Sequence, residues 1–254
     1  MTQAPGPGLG PSTWILVEIN KKRVSGGSMS PVTPPAGPGQ RHVLATHYEE
    51  AASEPVAYID ETYHVEADGR SRFYVMSAVV VLQPDRDVIR RELDAQVPDG
   101  WWHTTQELRT NQGREHTRDL LDAFQVPDET CVVVHKTAVD ADDATGDQAR
   151  RLVLSRLITD VHHATHASHP PVNLVVLEER LGAVRNNYDR SVAAELVKTG
   201  AVRPTFKMAV VSPSSEHLLW LPDLVCSAYR QQMLFNRADL FDKIRRMTHV
   251  VTLP

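Results

Sequence analysis

Cysteine is nearly absent from this 254-residue chain: only Cys131 and Cys226 occur, each inside an apolar run. A zinc site built on cysteines is therefore excluded, and buried reduced thiols are expected. Long apolar runs are missing too. The longest early stretch, Trp14 to Val17, is stopped by Glu18, far short of a signal-peptide core or of the roughly 20 residues that cross a bilayer. A cytoplasmic protein without a membrane partner is the expectation. The chain also lacks a basic excess, with 27 Lys and Arg against 32 Asp and Glu and a formal charge of -5. Residues 1–52 carry four bases (Lys21, Lys22, Arg23, Arg41) against three acids (Glu18, Glu49, Glu50), or +1, which leaves -6 for the rest. Tight sequence-independent binding to a polyanion draws on Lys and Arg that displace counterions, so a strong nucleic-acid binder of that kind is disfavoured. An enzyme that meets phosphate through metal ions and a few arginines is not. Glycine-rich dinucleotide or phosphate loops and the Gly-x-Ser-x-Gly nucleophile motif are absent.

What is present is a 41% apolar content, ample for one packed core. Residues 1–52 are rich in Pro and Gly, as in Pro5-Gly6-Pro7-Gly8 and Pro34-Pro35-Ala36-Gly37-Pro38-Gly39. Such composition buries too little surface to offset chain entropy, which predicts a disordered tail before one domain over 53–254. Met29, just after Ser25-Gly26-Gly27-Ser28, is a candidate alternative start.

From Val56 onward, strand and helix patterns alternate. Val56 to Thr62 reads as a strand with Tyr58 and Asp60 on one face and Ala57 and Ile59 on the other, joined through a turn at Asp68-Gly69 to a long apolar strand, Phe73 to Leu82. Those two form an expected antiparallel hairpin. A short helix follows from Asp85 to Leu93, then a polar stretch from Trp101 to Gln112, a helix from Arg114 to Phe124 and a strand from Cys131 to His135. The longest helix is expected over Asp147 to Ala167, with an apolar stripe of Leu154, Leu157, Ile158 and Val161. Val172 to Leu177 is a continuous apolar run, as in a strand covered on both faces. A helix bearing Val184, Tyr188, Val192 and Leu196, the strand Phe206 to Val211, a helix from Leu218 to Phe235 with Pro222 in its first turn, and a short coda complete the chain. The sum is an α/β fold.

Two acidic dipeptides end apolar strands: Asp60-Glu61 after Val56 to Ile59, and Glu178-Glu179 after Val172 to Leu177. A third acid, Asp223, opens the apolar helix near the C-terminus. Burying carboxylates beside strand ends costs several kcal/mol unless hydrogen bonds or a cation neutralise them. Three carboxylates on separate elements suit Mg²⁺, or Mn²⁺, which takes hard oxygen ligands and leaves positions for water and phosphate. Taken singly, each acid also has an ordinary reading at a turn or in the first turn of a helix.

The Tyr-Ile-Asp-Glu-Thr opening, the stretch His103-Thr104-Thr105-Gln106-Glu107-Leu108-Arg109, and Leu219-Trp220-Leu221-Pro222-Asp223-Leu224 together resemble the bacterial and phage family called domain of unknown function 3800. That family is assigned to the ribonuclease-H-like fold, and the resemblance covers about residues 55 to 235. It implies a ribonuclease-H-like mixed sheet with flanking helices and two Mg²⁺ ions roughly 4 Å apart that cleave a phosphodiester of DNA or RNA. Asp60 would bridge the ions, and Glu178 and Asp223 would complete their shells. Glu179 is the register alternative to Glu178. Glu61 or Glu107 would orient water and His103 would move protons. Thr62, Trp220 and Pro222 depart from the family pattern, as does a Glu rather than an Asp at 178. A catalytically silent ribonuclease-H-like binding or scaffold protein is therefore the alternative, and a small-molecule phosphohydrolase the third reading.

Other clusters carry blander expectations. Trp101 and Trp102 pack the polar stretch onto the domain or stack a base. Arg109, Arg114 and Arg118 alternate with acids, as on a solvated ion-paired helix. His162, His163, His166 and His169 lie near a helix end, where histidine suits the dipole better than a metal.

Overall fold

The computed structural model describes residues 38–51, 53–66, 71–124, 131–165 and 169–254. A six-stranded mixed sheet divides the molecule, and its two faces are covered by separate sets of helices. The first strand, β1 (Val56–His64), pairs antiparallel with β2 (Phe73–Val81), which pairs antiparallel with β3 (Cys131–Thr137). On the other side of β1, β4 (Leu174–Glu178) runs parallel to it and β5 (Lys207–Val211) runs parallel to β4. A sixth strand, β6 (Thr248–Leu253), closes the far edge beside β3, giving the order β5-β4-β1-β2-β3-β6.

Alternation along β1 sends Val56 and Tyr58 into one apolar layer and Ala57 and Ile59 into the other. The first layer is built with α1 (Pro38–Glu50), α2 (Gln83–Gln96), α4 (Asn111–Ala123), α7 (Trp220–Phe235) and α8 (Phe241–Ile244). The second rests on α5 (Asp147–His163) and α6 (Ala183–Lys198). β2 is buried along its whole length, which accounts for its unbroken apolar sequence. The remaining short helix, α3 (Thr104–Glu107), lies in the polar stretch between α2 and α4. No helix among the described residues is long and apolar enough to cross a membrane.

Four sequence expectations are corrected here. The tail expected over residues 1–52 does not hold for Pro38–Glu50, which form α1, whose Leu44 is buried and whose Tyr48 hydroxyl donates to Glu216 at 2.6 Å. Residues 1–37, Met29 among them, and the Asp68-Gly69 turn lie outside the described residues. The C-terminal coda contains α8 and β6. On α6 the expected face packs through Tyr188, Val192 and Leu196, but Val184 is 83% exposed. The helix from 147 ends at His163, with Ala164 left-handed at φ 49° and its N–H on the Asp160 carbonyl.

Candidate functional site

The parallel register carries Ile59 beside Leu177, so one step further Asp60 and Glu178 are neighbours pointing to the same face. Each carboxyl acts on the other across the strand pair, the charge of Glu178 pushing Asp60 up. Helix α7 brings the third acid. The Pro222 carbonyl accepts from Ser77 Oγ of β2 at 2.8 Å, and Cys226 Sγ lies 3.4 Å from the Asp60 carbonyl, which seats the first turn of α7 across β1 and β2. Pro222 has no N–H to lose at this position and fixes the backbone ahead of Asp223. The Asp223 carboxylate accepts from the Thr104 N–H at 2.8 Å and from Ser227 Oγ at 3.3 Å, with His103 Nδ1 3.6 Å away.

Asp60 and Asp223 are buried and Glu178 is half-buried. Burial pushes the Asp60 carboxyl well up from its usual range, and the charges of Glu178, Asp223 and Glu61 add to that. Glu178 is raised to about 8, again first by burial and then by Asp223 and Glu61. Among the described residues neither Asp60 nor Glu178 has a Lys or Arg ion pair. Burial and mutual repulsion therefore disfavour full ionisation of the pair, and a cation between them would restore it. His103 is raised as well, which for an imidazole favours the charged form: the Asp223 carboxylate 3.6 Å away raises it, while burial and the nearby charge of Arg109 oppose.

Glu61, one residue along β1, points to the other layer and is neutralised. Its carboxylate pairs with Arg150 at 2.6 Å. Arg150 is fully buried, grips Asp189 of α6 with two hydrogen bonds of 2.7 and 2.9 Å, and donates to the Tyr74 hydroxyl at 2.9 Å. Arg180 joins the same network through Asp189 and Asp147, each at 3.2 Å.

These groups border a cleft of about 370 Å³ at the carboxyl ends of β1 and β4. Asp60, Glu61, His103, Glu178 and Asp223 all line it, and so does Glu179. Glu179 takes a hydrogen bond from Gln40 Nε2 of α1 at 2.8 Å, which leaves Glu178 as the acid facing Asp60. Glu107 is not brought to the cleft. Its carbonyl and Oε2 lie against Gly113 in the first turn of α4, so closely that a Cβ at 113 would clash with both. Of the arginines weighed from sequence, Arg118 pairs with Asp239 at 3.1 Å, and none of Arg109, Arg114 and Arg118 lines the cleft. His162 is buried with Nδ1 2.8 Å from the Val172 carbonyl, and His163 and His169 face backbone carbonyls; His166 lies outside the described residues.

The sequence reading did not single out Tyr63, Arg180 or Arg185 on the cleft, nor Arg150 beneath it. One signal existed for Arg150. It falls three and four residues before Val153 and Leu154 on the buried stripe of α5, where an arginine requires a carboxylate partner.

The donor set suits a hard divalent cation in chemistry and charge: buried carboxylates from three elements, two of them repelling each other without a basic partner. Their spacing does not yet enclose one. Among the described residues no group of three or more His, Cys, Asp or Glu side chains converges as a closed metal site does. Comparison with family models, curated proteins and solved structures gives no match.

Proposed function

We propose that this chain is a metal-dependent phosphodiester hydrolase of ribonuclease-H-like type that acts on nucleic acid in the cytoplasm. The observation that carries the proposal is the facing of Asp60, buried, and Glu178, half-buried, neither with a Lys or Arg partner among the described residues and both under the charge of Asp223. Mutual repulsion of this kind is costly in a purely structural role and is relieved by Mg²⁺ or Mn²⁺. The antiparallel run β1-β2-β3, with β4 and β5 added parallel to β1, agrees with the ribonuclease-H-like expectation. Two buried free thiols suit a reducing compartment.

Asp60, Glu178 and Asp223 are the residues that would hold the metal, which when bound supplies an activated water and stabilises charge on the leaving oxygen. His103 exchanges a proton near Asp223, with its imidazolium form favoured by that carboxylate. Arg150 fixes Glu61 at the cleft edge, so Glu61 serves as an oriented acceptor for water and not as a mobile base.

One observation favours the alternative of a silent binding or scaffold protein. Asp223 already takes the Thr104 N–H at the start of α3, a structural use that persists without metal. Hydrolysis of labelled single-stranded and duplex nucleic acid with Mg²⁺ or Mn²⁺ separates the two readings. The enzyme reading expects metal-dependent cleavage that Asp60→Asn abolishes while the folded fraction is unchanged. Equal rates in wild type and variant would remove Asp60 from the chemistry.

A further inference from the structure

The cleft's acids outnumber its bases, and most of its basic charge is already committed. Arg180 is held by Asp147, Asp189 and the Arg185 carbonyl. Arg185 differs: it lines the cleft, is exposed, and its guanidinium makes no hydrogen bond or ion pair among the described residues. A second guanidinium without a partner among the described residues, that of Arg109, lies outside the cleft lining but is exposed in the turn that closes α3, the helix whose first turn supplies Thr105 to the cleft. Its charge is felt at His103. Trp101, half-buried, lines the same cleft, and its indole N–H is without a partner among the described residues.

This distribution limits what can be held. A duplex tracked along its backbone needs many cations, whereas two unpaired guanidiniums can neutralise about two phosphates. A volume of about 370 Å³ is at the low end of small-molecule pockets; of the aromatic side chains on it Trp102 and Trp220 are buried and Tyr63 is stacked on Tyr74, which leaves the Trp101 ring to accept one base irrespective of sequence. Resting on the phosphodiesterase reading, we infer that the substrate is a short unpaired stretch of nucleic acid, held by Arg109 and Arg185 through two phosphates, with one base stacked on Trp101.

The test is equilibrium binding of a fluorescent oligothymidylate, and of a duplex of the same length, to the full chain in millimolar Ca²⁺, a hard cation with the same oxygen preference. The unpaired strand should bind more tightly. With two phosphate contacts, the slope of log affinity against log salt should be about -1.4, and Arg109→Ala or Arg185→Ala should each reduce it to about -0.7. Trp101→Ala should weaken binding roughly tenfold without changing the slope. Tighter duplex binding, a slope of about -4 or steeper, arginine variants that leave slope and affinity unchanged, or no binding of either probe would overturn the inference. Hydrolysis of bis(p-nitrophenyl) phosphate with Mg²⁺, run in parallel, separates the two levels. Hydrolysis without the expected strand binding overturns the inference alone, and loss of both overturns the phosphodiesterase reading with it.

Discussion

Asp60 and Glu61 are adjacent on one strand, yet the two faces of the sheet treat them oppositely. Glu61 meets a buried arginine at 2.6 Å, and that arginine is clamped by Asp189 and Tyr74. Asp60 meets another carboxylate, and its own charge is disfavoured. The strand acid that points at α5 and α6 is neutralised and the one that points toward α7 is not, although that same side supplies Arg90 at 2.9 Å to the buried Glu216. An uncompensated carboxylate beside a neutralised one points to function on the uncompensated side, because packing alone would select against the repulsion.

The largest effect should come from breaking the neutralised side. Arg150→Met leaves Glu61 and Asp189 buried without their common partner, and should cost about 3–5 kcal/mol of stability in urea unfolding. A loss below about 1 kcal/mol would mean that the network is dispensable and the contrast between the faces is not real.

The uncompensated side should announce itself through pH. For the metal-free protein, Glu178 titrates near 4.5 when unfolded and is raised to about 8 when folded. The unfolded chain thus releases its proton first, so this stability is fully present below about 4.5 and is lost as pH rises toward about 8. Melting temperature in EDTA should fall across that window, and Glu178→Gln should flatten the fall. A flat wild-type profile would contradict a raised Glu178 carboxyl.

The smallest effect on stability is expected at His103, whose side chain is 45% exposed. Solvent screens its contact with Asp223, so His103→Ala should change stability by less than about 1 kcal/mol. Metal-dependent hydrolysis should fall by roughly 10²–10⁴-fold if the imidazole moves a proton. A fall in stability without a fall in rate would make it a structural residue.

Much of this arrangement was legible before folding. Apolar runs that end in acids marked β1 and β4, and Pro222 before Asp223 marked the start of α7. Other features required the fold. β6 was hidden because Thr248, His249 and Thr252 dilute an edge strand whose partner, β3, lies more than a hundred residues earlier. α1 was hidden in a proline-rich composition, although Leu44 and Tyr48 carry its contacts. Val184 is exposed in the first turn of α6, and Asp189 on the same helix is buried through Arg150 and Arg180, partners distant in sequence. Which acid of each dipeptide is uncompensated depended on partners that no local pattern identifies: Arg150 for Glu61 and Gln40 for Glu179.

The most direct measurement is the melting temperature of the full chain in EDTA and then in millimolar Mg²⁺ or Mn²⁺, for wild type and Asp60→Asn. Binding to the folded state alone adds stability by mass action. A metal-dependent rise in wild type, absent in the variant, is the predicted result. No rise in wild type, or an equal rise in both, would contradict a metal site built on Asp60.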